Sequence, residues 1–389
     1  MKITNKKSCR ILFVIPSYAI GGVTSSLYAL IKNLEPSRAE VDLFCRHHVG
    51  PMKQVFEQCC HVLPESVWLS LFMVESGVFS AFLCNVMGFM RMLLRKIGVN
   101  INPLYNRIGG QQLHIDKYDA VISFHEGLSS IVSTYPAKRR IAWIHCDYGR
   151  QREMVNKDEE KEYECFDRIV CVSEYAKNVF NKIYPSLAER TIAIHNIIDI
   201  ENIKAQSLKS DDFDEKFDTS DYTIISMGRL DPVKQFALIP KIAAQIKQLT
   251  TSPFKWYILG GSRGFTHEEE KIRMAIQRYG VSQDIILLGE KSNVYPYLAK
   301  ANMYVCTSKS ESYPLAVNEA KVLGIPVVSN SFPSATESIV NGKDGYITEM
   351  DNMAKVIVDL MECPLQVERH NPPKLDVLEA FYHLIEDKY

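Results

Sequence analysis

The chain has 389 residues, 46% of them hydrophobic and 23% charged, enough for two or three domains with ordinary cores. A formal net charge of -1 leaves no overall basic field, which argues against a nucleic-acid partner. Ten cysteines show no CxxC pair or metal-ligand spacing, which disfavours a zinc site or disulfide framework and fits a reducing, cytoplasmic setting.

After a short basic lead-in, the apolar run 11–15 stops at Pro16, below the ~7–15 residues of a secretory core. It reads as a first buried strand, followed by a Gly21-Gly22 turn and a helix over 24–33. Strands are expected at 41–45, 120–124, 140–144 and 168–172. Residues 207–221, rich in Asp, Lys and Ser, read as a linker; the Asp212-Phe213-Asp214 triplet there reads as a solvated loop. The pattern then restarts with a strand at 222–227, a helix at 236–249 and strands at 255–259, 285–288, 303–307 and 326–329. Strands alternating with helices predict two α/β domains with parallel sheets, 1–206 and 222–370. The tail 371–389 has a helical pattern and is expected to pack back on the first domain.

One segment breaks the alternation. Residues 67–92 are dense in Leu, Phe, Met and Val, but Glu75, Ser80, Asn85 and Arg91 interrupt them. A membrane span needs ~20 predominantly apolar residues. With Arg91, Arg95 and Lys96 behind it, the insertion 67–98 suits a helix lying on a membrane surface, although a core helix with a charged end reads the same way.

The candidate chemistry collects at strand ends. Glu311 and Glu319 are separated by seven residues, with Pro314 at a helix start and Gly324-Ile325-Pro326-Val327-Val328 behind. A loop carboxylate, a helix N-terminus whose N–H groups meet an anion, and a carboxylate that accepts from a diol together suit a sugar on a nucleoside diphosphate. Two surface glutamates at that spacing are also common for solvation alone. Gly228, Arg229 and Lys234 lie on one loop after a strand, where two cations suit a diphosphate without a metal. Gly22 lets a ligand approach the backbone, though it equally fits a tight turn. His125, at the end of 120–124, is a candidate to bond a sugar hydroxyl or help move a proton, and it equally fits a structural histidine. His145 and Asp147 follow the 140–144 strand as acceptor-side candidates. Gly260, Gly261, Glu290 and Asn293 read either as the floor of a nucleoside pocket or as plain turns.

In this order and spacing the motifs resemble the retaining glycosyltransferases of family 4. The carrying residues are Gly21-Gly22, the Gly228-Arg229-Leu230 … Lys234 loop, Gly260-Gly261, and Glu311-x7-Glu319 with its Gly-Ile-Pro-Val-Val sequel. The likeness is strongest over 222–348 and weakest over 67–110. It implies a GT-B fold, α/β, of two facing Rossmann-like domains with a deep cleft. By resemblance Arg229 and Lys234 hold the diphosphate, Glu319 binds the ribose and Glu311 contacts the donor sugar. The N–H groups around Tyr313, Leu315 and Ala316 approach sugar and phosphates, and His125 lies beside the sugar. The implied reaction moves a sugar from a nucleotide-diphosphate sugar, UDP by preference, to a glycan or lipid-linked acceptor in surface polysaccharide assembly, with no cofactor or metal. The expected location is cytoplasmic, on the inner membrane face where 67–98 meets lipid. A GT-B phosphorylase, a nucleotide-sugar epimerase and an inactive sugar-nucleotide-binding partner of a glycan assembly complex stay open as alternatives. A nicotinamide dehydrogenase is disfavoured by the missing GxGxxG.

Overall fold

The computed structural model describes residues 8–65, 113–151, 159–209, 213–262, 266–368 and 374–386, with the single positions 86, 89, 90, 93, 108 and 111. Most of the insertion 67–98 lies outside the described residues. The chain forms two compact units, Met1–Ile197 with Lys374–Tyr389, and Ile198–Pro373.

The first unit is built on a parallel sheet of seven strands in the order β3-β2-β1-β4-β5-β6-β7. These are β1 Cys9–Ser17, β2 Ala39–His47, β3 His61–Val62, β4 Ala120–Ser123, β5 Arg140–Ile144, β6 Arg168–Cys171 and β7 Thr191–Ala193. Ile11, Leu12, Phe13, Val14 and Ile15 are all buried, because a parallel sheet is covered on both faces and its strands read as continuous apolar runs. Helix α1, Gly22–Lys32, follows β1 directly.

The second unit repeats the plan with six parallel strands in the order β10-β9-β8-β11-β12-β13. They are β8 Tyr222–Met227, β9 Phe254–Leu259, β10 Ile285–Gly289, β11 Met303–Cys306, β12 Val327–Asn330 and β13 Gly345–Thr348. Three further helices matter here: α2 Ile200–Ser207, α3 Ile239–Leu249 and α4 Leu315–Val322. Helix α3 buries Ile239, Ile242, Ala243 and Ile246, one face at the i, i+3, i+4, i+7 spacing. Each large aliphatic on that face contributes about 1.5–3 kcal/mol by leaving water.

Both sheets have the doubly wound order, which reverses between β1 and β4 in the first unit and between β8 and β11 in the second. The crevice outside the carboxyl ends of the strands at such a reversal is where ligands bind in open α/β sheets.

Two expectations about domain limits change. The units divide after Ile197, upstream of the expected 207–221 linker, because α2 packs Ile203 against Val322 of the second unit. Nor are residues 213–217 a solvated loop. Phe213 and Phe217 stack at 5.4 Å and meet Tyr297 and Tyr257 edge-on at 5.1 and 4.8 Å. Asp214 ion-pairs with Lys291 at 2.7 Å, and that hydrogen bond holds its carboxyl below the ordinary range. Two aromatics four residues apart outweigh the polar composition around them.

The last helix, α5 Lys374–Ile385, belongs to the first unit. Phe381 stacks on Phe13 at 6.1 Å. Arg38 pairs with Glu379 at 2.7 Å and lies 3.6 Å from the centre of the Tyr382 ring. Arg139 donates to the carbonyls of Leu384 and Ile385, both at 3.1 Å, satisfying the helix C-terminus.

Candidate functional site

In the second unit, β8 is followed by Gly228 and β9 by Gly260, with φ of 147° and 152°. A Cβ on Gly260 would lie 1.8 Å from the Gly228 carbonyl oxygen. Two strand ends therefore touch backbone to backbone, joined also by Leu230 N–H donating to Gly261 O at 2.9 Å. Only glycine fits at Gly260, and the reason is packing of the site's floor.

Lys234 ends a single 3-10 turn whose cap is Asp231, which accepts from Val233 N–H at 2.9 Å. Its Nζ meets Glu311 Oε1 at 2.6 Å, and Ser308 Oγ donates to the same oxygen at 2.6 Å. Thr307 Oγ1 donates to the Lys234 carbonyl at 2.7 Å, and Lys309 N–H to the Val233 carbonyl at 2.8 Å. These contacts tie the loop after β8 to the loop after β11, across the reversal of strand order. Burial works against charge on Lys234, and the Glu311 carboxylate more than offsets it, holding the lysine above its ordinary pKa. The side chains are 24% and 16% exposed. Lys234 is thus not an isolated cation, and Arg229, 59% exposed, is paired with Asp231 at 3.1 Å. The loop expected to hold a diphosphate presents two cations that each already face a carboxylate.

Glu319 lies on α4. Pro314 stands one position before that helix rather than at its first residue, and no side chain caps the N-terminus. Glu319 Oε1 accepts from the Tyr295 hydroxyl at 3.1 Å. Burial pushes the Glu319 carboxyl up to about 7, with the Tyr295 bond pulling the other way. Tyr313 and Leu315 pack on the small cluster of Ile198, Ile203 and Val322, while Ala316 packs on the main core. Glu290 is exposed, its Oε2 3.0 Å from where a Cβ of Gly261 would stand. Asn293 is committed elsewhere: it donates to the Gln206 carbonyl at 3.0 Å and accepts from Tyr295 N–H at 3.2 Å, so it fastens α2 to the short helix Tyr295–Ala299.

In the first unit, Gly22 opens α1 and is exposed. His125 Nδ1 accepts the Gly127 N–H at 2.9 Å. Neutral His125 therefore carries its proton on Nε2 and offers a donor there, not a base. Asp147 accepts from Gly149 N–H at 2.9 Å and from the Tyr175 hydroxyl at 3.1 Å, and so holds its own turn. His145 sits against the Phe124 ring, centroids 4.7 Å apart, and its Nε2 is buried without a hydrogen-bond partner among the described residues. Burial lowers its pKa to about 4. Ser308, Tyr295 and Glu126 all touch candidate residues and were not singled out from sequence. Ser308, three positions before Glu311, is the one a local pattern could have raised. Among the described residues no three His, Cys, Asp or Glu side chains group to hold a metal ion, and no helix is long and apolar enough to cross a membrane.

Against known families, residues 209–372 match the model for glycosyl transferases group 1. That match covers most of the second unit. A relative from Campylobacter jejuni, N-acetylgalactosamine-N,N'-diacetylbacillosaminyl-diphospho-undecaprenol 4-alpha-N-acetylgalactosaminyltransferase, is 28% identical over 160 residues, covering 41% of this chain and 40% of its own length. The Escherichia coli UDP-Gal:alpha-D-GlcNAc-diphosphoundecaprenol alpha-1,3-galactosyltransferase is 22% identical over 196 residues, half of each chain. The chain spans about half the length of the curated relatives it matches. Among solved structures, Anabaena HepE in complex with UDP-glucose superposes with a TM-score of 0.69 at 17% identity, covering 97% of this chain and 98% of that one. Sucrose-phosphate synthase from Thermosynechococcus elongatus gives 0.67 at 14% identity, covering 98% and 97%. That likeness shows the fold, GT-B, with two Rossmann-like units.

Proposed function

We propose that the protein is a retaining glycosyltransferase. It moves a sugar from a nucleotide-diphosphate sugar, with UDP as the carrier, to a lipid-linked glycan acceptor in surface polysaccharide assembly, without a metal or cofactor. The observation that carries this reading is the Lys234–Glu311 pair spanning the reversal of strand order, with Glu319 on the next helix and Arg229 exposed beside it. The Campylobacter and Escherichia coli relatives bear names with diphospho-undecaprenol acceptors, and the HepE structure holds UDP-glucose; both support the donor and acceptor classes.

In this reading the leaving diphosphate draws Arg229 and Lys234 off their carboxylates. Its growing charge meets the two released cations and the N–H groups of Leu315 and Ala316 at the start of α4. Glu311, released by the lysine, accepts from donor-sugar hydroxyls, and Glu319 accepts from the ribose diol. Gly22 and the Nε2–H of His125, at the first unit's own strand reversal, offer backbone approach and a donor to sugar hydroxyls. Substitution on the same face, with the leaving phosphate taking the acceptor's proton, keeps the anomeric configuration.

The exposed side chains of Val86, Phe89, Met90 and Leu93 lie at the i, i+3, i+4, i+7 spacing of one helix face, with 59% of Phe89 in solvent. With Arg91, Arg95 and Lys96 in the same stretch of sequence, they support contact with an anionic membrane surface, where a lipid-linked acceptor resides.

The test is a thermal-shift screen against UDP, GDP and ADP without metal, followed by transfer from the corresponding sugars to undecaprenyl-diphosphate saccharides. A ligand of the native state raises the melting temperature by mass action. One nucleotide is expected to stand out, and NMR of the product to show the donor's anomeric configuration. No shift with any nucleotide and no product would overturn the proposal; a sugar phosphate or epimerised donor formed without acceptor would favour the phosphorylase or epimerase.

A further inference from the structure

The first unit's strand reversal holds a carboxylate that the chemistry above does not use. Glu126 follows His125 at the end of β4, in the 3-10 turn Glu126–Leu128. Its Oε2 accepts the backbone N–H of His145 at 3.2 Å, joining the loop after β4 to the loop after β5. The peptide around it is pinned as well: Ser129 Oγ donates to the Glu126 carbonyl at 2.8 Å and Ser123 Oγ to the His125 carbonyl at 3.1 Å. Among the described residues Glu126 has no ion pair with lysine or arginine. Burial works against its charge, and the His125 and His145 imidazoles, with backbone N–H bonds, hold its carboxyl below the ordinary range. The other titratable groups that feel its charge are the Cys146 and Cys171 thiols and the Tyr163 hydroxyl, all pushed up mainly by burial.

A half-buried carboxylate that faces no lysine or arginine among the described residues is disfavoured, and a carboxamide oxygen would accept the same N–H. The charge itself therefore calls for a use. Beside it stands an imidazole whose buried Nε2 has no hydrogen-bond partner among the described residues, an arrangement that protein interiors avoid unless water, an ion or a ligand completes it. The neighbouring imidazole has its Nδ1 engaged by Gly127, which leaves Nε2–H to donate.

We propose that Glu126 is a positioning residue: by clamping the two strand ends and by its charge, it holds His125 and His145 as a paired hydrogen-bonding unit for hydroxyls of the sugar substrate. This rests on the sugar-transfer reading. The clamp and the charge separate experimentally. Glu126→Gln keeps an acceptor for the His145 N–H and removes the charge, whereas Glu126→Ala removes both.

The experiment uses the full chain and both variants. It measures kcat/KM for transfer against pH, with the UDP-sugar chosen by the nucleotide screen, and it follows the histidine imidazoles by nitrogen-15 NMR. Glu126→Gln is expected to melt like the wild type and to lose about tenfold in kcat/KM, the scale of one charged hydrogen-bonding partner. Its His145 midpoint is expected below the wild-type value of about 4, because the anion that favours imidazolium is gone. Glu126→Ala is expected to lose more, with KM raised. Wild-type kcat/KM at every pH together with an unchanged His145 midpoint in Glu126→Gln would overturn the assignment, whether or not Glu126→Ala folds. A wild-type protein that transfers no sugar sinks the sugar-transfer reading alone; the imidazole midpoints then decide whether Glu126 governs His145.

Discussion

At the scale of single residues, Glu319 makes the sharpest prediction. Its carboxyl has an ordinary value of 4.5 and a folded value of about 7, raised by burial. Between those values the folded chain holds a proton that the unfolded chain lacks. Its contribution to stability is therefore fully present below about pH 4.5 and is lost as pH rises through about 7. Donor binding runs the other way, since a ribose diol donates best to the ionised carboxylate. Affinity for a UDP-sugar, whose phosphates do not titrate in this range, is expected to rise by several-fold between pH 6 and 8, with a proton released on binding. Calorimetry in buffers of different ionisation heat reads that proton directly. Glu319→Gln should flatten the pH dependence, and a flat profile in the wild type would show that Glu319 is not the diol's partner. The Lys234–Glu311 pair predicts a different balance. Glu311→Gln leaves a largely covered lysine without its counter-charge, so stability as well as turnover should fall. The loss is expected at about 1–3 kcal/mol, below the ~3–5 of a fully buried pair because both groups keep some solvent. Lys234→Met, which removes the charge and keeps the stem, should melt closer to the wild type while turnover drops by on the order of a hundredfold. Denaturant titration beside initial rates separates the two effects, and a Lys234→Met enzyme with normal turnover would refute the diphosphate role.

At the scale of elements, the apolar face formed by Val86, Phe89, Met90 and Leu93 predicts membrane contact that depends on both area and charge. Phe89→Asp combined with Leu93→Asp should abolish co-sedimentation with vesicles rich in anionic lipid while leaving the nucleotide-induced thermal shift intact. Equal binding by variant and wild type would return this face to an ordinary surface. How far such elements could be read from sequence follows from their burial. Strands β1 and β5 are covered on both faces, so 11–15 and 141–144 appear as unbroken apolar runs. Strands β3, β7 and β13 have only two to four residues, several half-exposed, and leave no run to recognise. The positions of Arg229, Lys234, Glu311 and Glu319 were legible because glycines and strand ends mark them. Their partners were not. Lys234 meets Glu311 across 77 positions, and Glu319 meets Tyr295 across 24. Such pairings depend on which strands become neighbours, which no local spacing encodes. The aromatic anchors Phe213 and Phe217 were hidden for the opposite reason, since a charged composition around them imitates a linker.

At the scale of the whole molecule, the chain leaves its first unit after Ile197 and re-enters it at Lys374. The second unit is therefore an insertion between a sheet and that sheet's own last helix. The packing of the first unit includes α5, whose Phe381, Tyr382, Leu384 and Ile385 are almost wholly buried. The second unit needs nothing from α5, because its three clusters draw on its own strands and helices. Phe381→Ala should thus destabilise the first unit by about 3–5 kcal/mol. A domain of that size then melts lower by roughly 6–20 °C, at about 2–4 °C per kcal/mol. Scanning calorimetry of the full chain is expected to show that shift in one transition. The transition that UDP raises should stay in place, since the nucleotide residues assigned above all lie in Ile198–Pro373. If the UDP-sensitive transition fell with the substitution, either the two units unfold as one cooperative body or nucleotide binding draws on the first unit. Repeating the scan with Phe236→Ala, a core position of the second unit, distinguishes these. Independent units would lose stability in the other transition, whereas one cooperative body would respond to both substitutions alike.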